Sequence, residues 1–261
     1  LSPESFESAL QRHPHAKAII ATHVETSTGV INPIRELARI AGAHNVPIMA
    51  DAISSLGGVE FAMDEWGVDL CVTASQKCLG GAAGLPPVAV GPRAWAAIEK
   101  RSSNGRGWYL NLQTWREFAQ SQKDWHPFPV TMPTNVVLAL CAGLRQLLAE
   151  GIPQRWQRYQ TLATRLRAGL QELGFQPLAA DSCAAPVVTA ARSLPGIPSG
   201  RVVEFLERAH GLKIAGGLGP LQHTIFRVGH MAPSVGERDI DDVLAALEDF
   251  KHQAAIGKEA V

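Results

Sequence analysis

The most constraining feature of this chain is an alternation of short apolar runs with helical patterns in its first part. The apolar runs span residues 18–22, 46–49 and 70–73, and a helical pattern with proline in its first turn covers residues 33–43. Apolar strands separated by helices are typical of a mainly parallel sheet with helices on its faces. We therefore predict an α/β fold for this part of the chain.

The second part of the chain has a different order of elements. Two long helical patterns, at residues 134–150 and 152–173, end at Gly151 and Gly174, as helices commonly do. After them we predict strands at residues 185–190, 213–215 and 225–228 and helices at residues 199–209 and 235–253. This order favours a small α+β domain.

Shorter segments complete the prediction. We expect helices at residues 5–12 and 92–100, a strand at residues 87–90, a breaker-rich stretch at residues 102–107, an aromatic loop at residues 108–118 that packs on a partner subunit, and a frayed tail at residues 257–261.

The composition excludes several classes of protein. The 261 residues are 46% hydrophobic and 18% charged, enough to bury a large core, and the formal net charge of zero gives no electrostatic reason to bind nucleic acid or an anionic membrane. No apolar run has the length of a membrane span, and residues 1–5 lack the features of a signal peptide. The four cysteines have no metal-ligand spacing. We expect a cytoplasmic enzyme with reduced thiols.

Two charged residues stand at the ends of neighbouring apolar runs. Asp51 follows residues 46–50, and Lys77 follows residues 70–73 after a short polar stretch. A carboxylate in such a place can keep the pyridine nitrogen of pyridoxal phosphate protonated, and a lysine can hold the cofactor's aldehyde as a Schiff base. A helix cap for Asp51 and a solvent-exposed role for Lys77 are the alternatives. The pair predicts a pyridoxal 5'-phosphate enzyme.

Three segments in this order carry a resemblance to a known family. They read HVETSTGV at residues 23–30, DAISSLGG at residues 51–58 and SQK at residues 75–77. The chain resembles the class V aminotransferases of fold type I, in particular the alanine–glyoxylate and serine–pyruvate aminotransferase group. The resemblance implies a partial large cofactor-binding domain over residues 1–151, with a dimer-interface segment and the start of bridging helices. Residues 152–261 would supply a bridging helix and the small domain.

The resemblance also implies roles for individual residues. Lys77 and Asp51 are the catalytic residues, and the cofactor contacts come from Thr26, Asp51, Ile53, Gln76, Lys77 and Thr131. The last of these would reach the cofactor phosphate of the neighbouring subunit, so the resemblance implies a homodimer. Relatives often carry tyrosine where this chain has Phe128, which removes one phosphate donor. A core role is the alternative for Ile53.

Substrate binding is assigned by the same resemblance. Arg227, a polar residue inside an apolar run, would bind the carboxylate of an amino acid bidentately, with a structural salt bridge as the alternative. His230 either contacts substrate or caps the strand. The implied reaction moves an amino group from alanine or serine to a 2-oxo acid such as glyoxylate or pyruvate.

Three other interpretations stay open. A lyase or cysteine desulfurase shares the fold but needs a mobile cysteine, and Cys183 is the candidate in a loop-like context. A pyridoxamine–pyruvate aminotransferase, the second interpretation, has similar residues around Arg227.

The third interpretation concerns the start of the sequence. In the family, the turn and helix that hold the phosphate precede the segment at which this sequence starts. We therefore expect an N-terminally truncated chain with weak cofactor binding and exposed apolar sheet surface, and a non-catalytic dimerising protein is the third interpretation.

Overall fold

The structure is a computed structural model that describes residues 1–101 and 107–259. Over this part of the chain, helices α1 to α9 cover Pro3–Arg12, Ile34–Ala43, Met63–Trp66, Pro92–Glu99, Leu112–Ser121, Thr134–Glu150, Ile152–Glu172, Ser199–His210 and Glu237–Glu259. Strands β1 to β10 cover Ile19–Thr22, Val24–Glu25, Val30–Ile31, Ile48–Asp51, Leu70–Val72, Val88–Val90, Gln176–Pro177, Val188–Arg192, Ala215–Gly216 and Ile225–Gly229. Short 3-10 helices lie at Asp181–Cys183 and Gly219–Leu221.

The first sheet has the strand order β1-β4-β5-β6, in which β1, β4 and β5 are parallel and β6 is antiparallel to β5. Thr22, Asp51 and Val72 are in register, so the carboxyl ends of the three parallel strands lie along one edge. The predicted α/β fold is confirmed. The edge is the place where open α/β sheets bind their ligands.

One face of this sheet is covered by α1 and α2. Apolar residues of α2 recur at helical spacing, and Ile34 and Leu37 are fully buried against Ile48 of β4 and its neighbours. Side chains of successive strand residues point to opposite faces, so Ile20 of β1 lies on the other face, where it is 73% exposed.

The second sheet is antiparallel throughout, with the order β7-β8-β10-β9. Helices α7, α8 and α9 pack with it around a second, larger core. Phe175 and Phe226 meet edge to face in this core, with their ring centroids 5.4 Å apart. The predicted small α+β unit therefore forms from the second part of the chain.

A hairpin of β2 and β3, which was not predicted, connects the two sheets. The turn at its tip places Gly29 at φ 72°, and its carbonyl accepts a hydrogen bond from the amide of Ala185 (2.8 Å). A Cβ at Gly29 would lie 3.1 Å from the amide nitrogen of Ala190 in β8, so the close approach requires glycine. The hairpin thus joins the parallel sheet to β8.

Three predictions of local structure are wrong. Part of the predicted aromatic loop is helix α5, because the side chain of Asn111 caps it by accepting from the amide of Gln113 (3.0 Å). The last helix continues to Glu259, where a frayed tail was expected from residue 257, and residues 260 and 261 lie outside the described part of the chain. The strand predicted at residues 185–190 begins at Val188, because Ala185 pairs with the hairpin instead.

Other predictions remain open. Residues 102–106 of the breaker-rich stretch lie outside the described residues, and the domain boundary at 151/152 stays a prediction. No single described helix is long and apolar enough to cross a bilayer. The pair α6 and α7 reaches that length and composition together, but the two helices meet at an angle of 87°.

Candidate active site

The candidate site lies at the carboxyl edge of the parallel sheet. Asp51 is the last residue of β4, and Lys77 lies in the turn five residues beyond Val72, the last residue of the adjacent strand β5. Both side chains are half-buried. One carboxylate oxygen of Asp51, Oδ1, accepts a hydrogen bond from the amide of Ile53 (3.0 Å). The sequence-predicted pair therefore comes from neighbouring strands.

Neither charged group is neutralised by the described residues around it. Within residues 1–101 and 107–259, Oδ2 of Asp51 has no hydrogen bond and Lys77 has no ion pair or hydrogen bond from its amine. The hydrogen bond from the Ile53 amide to the Asp51 carboxylate forms a local turn. This bond is of the kind that the capping alternative for Asp51 expected, but it uses only one of the two oxygens. One oxygen and one amine are left to meet a ligand.

The loop after Asp51 is bonded to the turn that carries Lys77. The hydroxyl of Thr73 donates to the carbonyl of Ala52 (3.1 Å), and the thiol of Cys78 donates to the carbonyl of Ser54 (3.4 Å). Cys78 is completely buried, and burial raises the pKa of its thiol to about 12, so it is a neutral packing group. These contacts hold the Asp51 and Lys77 segments against each other.

Ser75 organises the turn from within. Its side chain is buried, its hydroxyl donates to the carbonyl of Ala82 and accepts from the amide of Leu85, and its own carbonyl accepts from the amide of Gly81 (2.7 Å). Sequence reasoning treated Ser75 only as part of a motif and missed this role. The signal was available, because a small hydroxyl residue beside a functional lysine and ahead of two glycines is typical of a hydrogen-bonded turn.

Thr26, in the turn of the hairpin, and Arg227, in the second sheet, come together although they are far apart in the chain. The guanidinium of Arg227, on β10, donates from Nε to the carbonyl of Gly216 (2.8 Å) and from Nη1 to the carbonyl of Thr26 at the hairpin tip (3.1 Å). No carboxylate among the described residues pairs with Arg227, which disfavours the structural salt bridge. Its Nη2 group has no hydrogen bond within the described part of the chain, so donors remain for a ligand.

The other predicted contacts are less closely defined. Gln76 and Thr131 are exposed and Ile53 is half-buried, and neither polar side chain has a hydrogen bond within the described ranges. Thr131 lies between α5 and α6, after Phe128, whose ring packs 4.5 Å from that of His126. Within the described part of the chain, no hydrogen bond connects Thr131 to Asp51.

His230 is a buried residue that directly follows β10 of the second sheet. Its Nε2 lies 3.0 Å from the hydroxyl of Thr189, and the side chain is almost completely buried. Burial, and then the charge of Arg167, lower the pKa of His230 to about 4, with the Pro186 carbonyl opposing them. The imidazole is therefore neutral near pH 7, and of the two predicted roles its surroundings favour the structural one.

The described residues give no support to a mobile Cys183 or to a metal site. Cys183 is half-buried in the short 3-10 helix that precedes β8, not in an exposed loop. Among the described residues, no cluster of three or more histidine, cysteine or acidic side chains has an arrangement that would hold a metal ion.

Comparison with known proteins decides the family. A model of the aminotransferase class-V family matches residues 1–231. The chain belongs to the class-V aminotransferases. Members of this family use pyridoxal phosphate, and the fold is that of the fold type I enzymes. The resemblance inferred from the three motifs is confirmed.

Individual relatives match over nearly all of this chain but only part of their own length. An uncharacterized aminotransferase of Methanocaldococcus jannaschii is 34% identical over 94% of this class-V chain and 63% of its own length. The pyridoxamine–pyruvate transaminase of Mesorhizobium japonicum is 30% identical, over 99% and 66%. The crystal structure of alanine–glyoxylate aminotransferase from Nostoc sp. superimposes with a TM-score of 0.89 at 30% identity, over 95% and 65%. The chain thus spans about two thirds of these relatives.

The residues at the sheet edge of this class-V chain fit the family's cofactor. A pyridine nitrogen needs a carboxylate, and Oδ2 of Asp51 has no partner among the described residues. An aldehyde needs an unpaired amine, and Lys77 supplies one from the adjacent strand. Amide and hydroxyl groups of Gln76 and Thr26 can donate or accept. The four residues fit the chemistry of this cofactor, and their assignment to its site stays a prediction.

Proposed function

We propose that this chain carries the catalytic centre of an aminotransferase that moves an amino group from alanine or serine to a 2-oxo acid such as glyoxylate or pyruvate. One observation carries the proposal: Asp51 ends β4, Lys77 lies in the turn that follows the adjacent parallel strand β5, and hydrogen bonds join the two segments. Within the described residues, Oδ2 of Asp51 and the amine of Lys77 have no partner and can meet a ligand. Membership in the class-V family agrees with it.

Each residue has a defined chemical task in this proposal. Pyridoxal phosphate, when bound, supplies an aldehyde that exchanges amines and a ring that withdraws electrons. Asp51 would hold the proton of the pyridine nitrogen, because a carboxylate stabilises the charged ring. Lys77 would hold the aldehyde, and its amine would move the proton at the substrate's Cα as general base and acid.

Arg227 orients the amino acid in the proposed reaction. A guanidinium binds a carboxylate bidentately, and the two backbone carbonyls that already accept from Arg227 hold the side chain in place. Because one of them is the carbonyl of Thr26, the substrate arginine is fixed relative to the hairpin that leaves β1. A small change in the angle between the sheets would therefore move the carboxylate site.

We also propose a cytoplasmic homodimer with two shared sites. The support is the placement of Thr131 on the surface, in a segment where Trp108, Leu110 and Trp125 are each more than half exposed. Exposed aromatic and aliphatic side chains in one segment favour an interface. Thr131 of each subunit would then contact the cofactor phosphate of the other.

A second candidate reaction is amino transfer from pyridoxamine to pyruvate. It is favoured by the 30% identity to the Mesorhizobium japonicum enzyme that carries that name. A comparison of substrates distinguishes the two: the first proposal expects alanine or serine to react with glyoxylate or pyruvate, and the second expects turnover only with pyridoxamine and pyruvate. The position of Cys183 gives no support to a desulfurase.

The test of the proposal is covalent trapping of the lysine. The protein is titrated with excess pyridoxal phosphate, followed by its absorbance at the blue edge of the visible, reduced with borohydride and mapped by peptide mass spectrometry. We expect the label on Lys77, its loss in Lys77→Arg, and no change in Lys123→Arg, a control at an exposed lysine. A folded protein that shows no label, or equal labelling of Lys77 and Lys123, would refute the assignment.

A further inference from the structure

The bend between α6 and α7 contains an ion cluster that the proposed chemistry does not use. Glu150 ends α6, Gly151 adopts a φ of 91°, and Arg155 lies in the first part of α7. The guanidinium of Arg155 is completely buried. An arginine is rarely buried to this extent unless its charge is paired, and the structure provides the pair.

Glu150 is the charge partner of Arg155. The Nε group of Arg155 donates to Oε2 of Glu150 (2.7 Å), and Nη2 lies 2.6 Å from the same oxygen without the angle of a hydrogen bond. Arg158 donates to both oxygens of Glu150, and these hydrogen bonds, the largest cause, hold the pKa of Glu150 below its usual value. The carboxylate therefore stays charged and keeps the guanidinium in place.

The remaining nitrogen of the Arg155 guanidinium, Nη1, is directed to the turn that carries Lys77. Its Nη1 donates to the carbonyl of Cys78, the residue that follows Lys77, at 3.4 Å. The bond is long, but the donor is charged and the surroundings exclude water, which strengthens it. This contact joins two residues that are 77 positions apart in the sequence. It fixes the direction of the peptide bond after Cys78.

The turn also lies against the preceding helix. A Cβ on Gly143 of α6 would be 2.4 Å from the carbonyl oxygen of Leu79, so α6 touches the backbone directly. Within the turn, the amide of Gly80 donates to the carbonyl of Lys77 (2.9 Å). The backbone on the C-terminal side of Lys77 is thus enclosed between α6 and the Arg155 guanidinium.

The start of α7 is also bonded to the segment that follows strand β10 of the second sheet. Arg158 donates to the carbonyls of Pro233 and Val235, and the hydroxyl of Tyr159 donates to the carbonyl of Met231 (2.7 Å). These carbonyls belong to the segment that follows β10, the strand of Arg227. Arg155 therefore acts from a helix end that is fixed to the strand carrying the proposed substrate arginine.

We propose that Arg155 is a positioning residue that sets the orientation of the turn carrying Lys77. It touches neither the cofactor nor the substrate and acts through the Cys78 carbonyl. The proposal rests on the proposed function of Lys77, but its main consequence, a defined turn backbone, is measurable without any ligand. Glu150 holds the guanidinium in its orientation, and the α6 backbone closes the other side of the turn.

The test is hydrogen exchange in the ligand-free protein with the variant Arg155→Lys. Lysine keeps a positive charge next to Glu150, which preserves the fold, but it lacks the planar fork that reaches the carbonyl of Cys78. We expect the amides of Gly80 and Gly81 to exchange about tenfold faster, as the loss of one charge-assisted hydrogen bond implies. Amides of β8 should keep their wild-type exchange.

Arg165→Lys is the matched control. Arg165 lies on the same helix and forms a bidentate pair with Asp241 (2.7 and 2.9 Å), but this pair is half-exposed and is formed with α9, not with the turn. In Arg165→Lys, hydrogen exchange at residues 75–85 should equal that of the wild type. Equal exchange at residues 75–85 in Arg155→Lys and the control would overturn the proposal, and so would a rise that affects β8 to the same extent, since that is general loosening.

A second variant covers a folding failure. If Arg155→Lys does not give the wild-type circular dichroism spectrum, Arg155→Met removes the guanidinium and leaves the Glu150 carboxylate paired with Arg158. The same faster exchange at Gly80 and Gly81 is expected, and unchanged exchange would overturn the proposal.

A second measurement separates this inference from the proposed function. Trapping with pyridoxal phosphate and borohydride should label Lys77 about tenfold more slowly in Arg155→Lys than in the wild type, relative to exposed Lys213. Faster exchange together with a wild-type protein that is never labelled at Lys77 would retain the positioning role and refute the aminotransferase assignment. Labelling of Lys77 in the wild type, together with unchanged exchange in Arg155→Lys, would refute the positioning role and retain the aminotransferase assignment.

Discussion

The neutral, buried state of His230 predicts a specific loss of stability in acid. The folded pKa of His230 is about 4, against an ordinary value of 6.5, because burial and the nearby Arg167 disfavour the imidazolium. Between pH 6.5 and pH 4 the unfolded chain binds this proton and the folded chain does not. Stability that is complete above pH 6.5 is therefore lost as the pH falls through this window.

The magnitude follows from the width of the window. One proton taken up only by the unfolded state lowers the free energy of unfolding by about 1.4 kcal/mol for each pH unit. Over the interval down to pH 4, His230 alone should account for about 3 kcal/mol. This is a large part of the 5–15 kcal/mol that typically stabilises a domain. Burial also lowers the pKa of His23 to about 4, so His23 adds a similar dependence of the unfolding free energy on pH.

The assay is urea unfolding at several pH values between 7 and about 4.5. His230→Gln should weaken the pH dependence of the unfolding free energy, while Thr189→Val, which removes the hydrogen-bond partner of His230 without removing the titrating group, should keep the wild-type dependence. His23 stays in all three proteins, so its contribution cancels. If His230→Gln has the same pH dependence as the wild type, then His230 is not held neutral by burial and the reasoning fails.

Two further predictions concern substrate binding and packing. Arg227→Lys should raise the KM for the amino donor about tenfold with a smaller effect on kcat, since lysine cannot bind a carboxylate bidentately; steady-state kinetics measure this, and an unchanged KM would exclude Arg227 from substrate binding. Gly143→Ala should lower the unfolding free energy by about 2 kcal/mol, because its Cβ would meet the Leu79 carbonyl oxygen at 2.4 Å. Gly42→Ala, in open space on α2, should stabilise by up to about 1 kcal/mol in the same urea titration, and a similar result for both glycines would contradict the packing argument.

The prediction from sequence was most successful where structure repeats over a few residues. The parallel strands β1, β4 and β5 and the helices α2, α6, α7 and α8 lie within about two residues of their predicted bounds, because apolar periodicity and glycine or proline breakers are local signals. The errors fall where a single long-range contact decides. Ala185 pairs with Gly29 and so delays the start of β8, and no pattern near residue 185 indicates that pairing.

The same division applies to the site. Asp51 and Lys77 were found as charged residues after apolar runs, and parallel strand order then requires their strand ends to lie at one edge. Thr73 and Ser75 were missed as organisers of the turn, because hydroxyl side chains bond to backbone carbonyls wherever a loop brings them together.

The amino-acid sequence by itself thus determined the parallel strands and the longer helices, the strand-end pair and the family of this protein. These features depend on side-chain periodicity and on short motifs, which are complete within a few tens of residues. Tertiary structure alone decided that Arg227 bonds to the carbonyl of Thr26, that Arg155 reaches the carbonyl of Cys78, and that His230 is neutral and buried. Each of these depends on distance and desolvation between segments far apart in the chain, which only the packed fold defines.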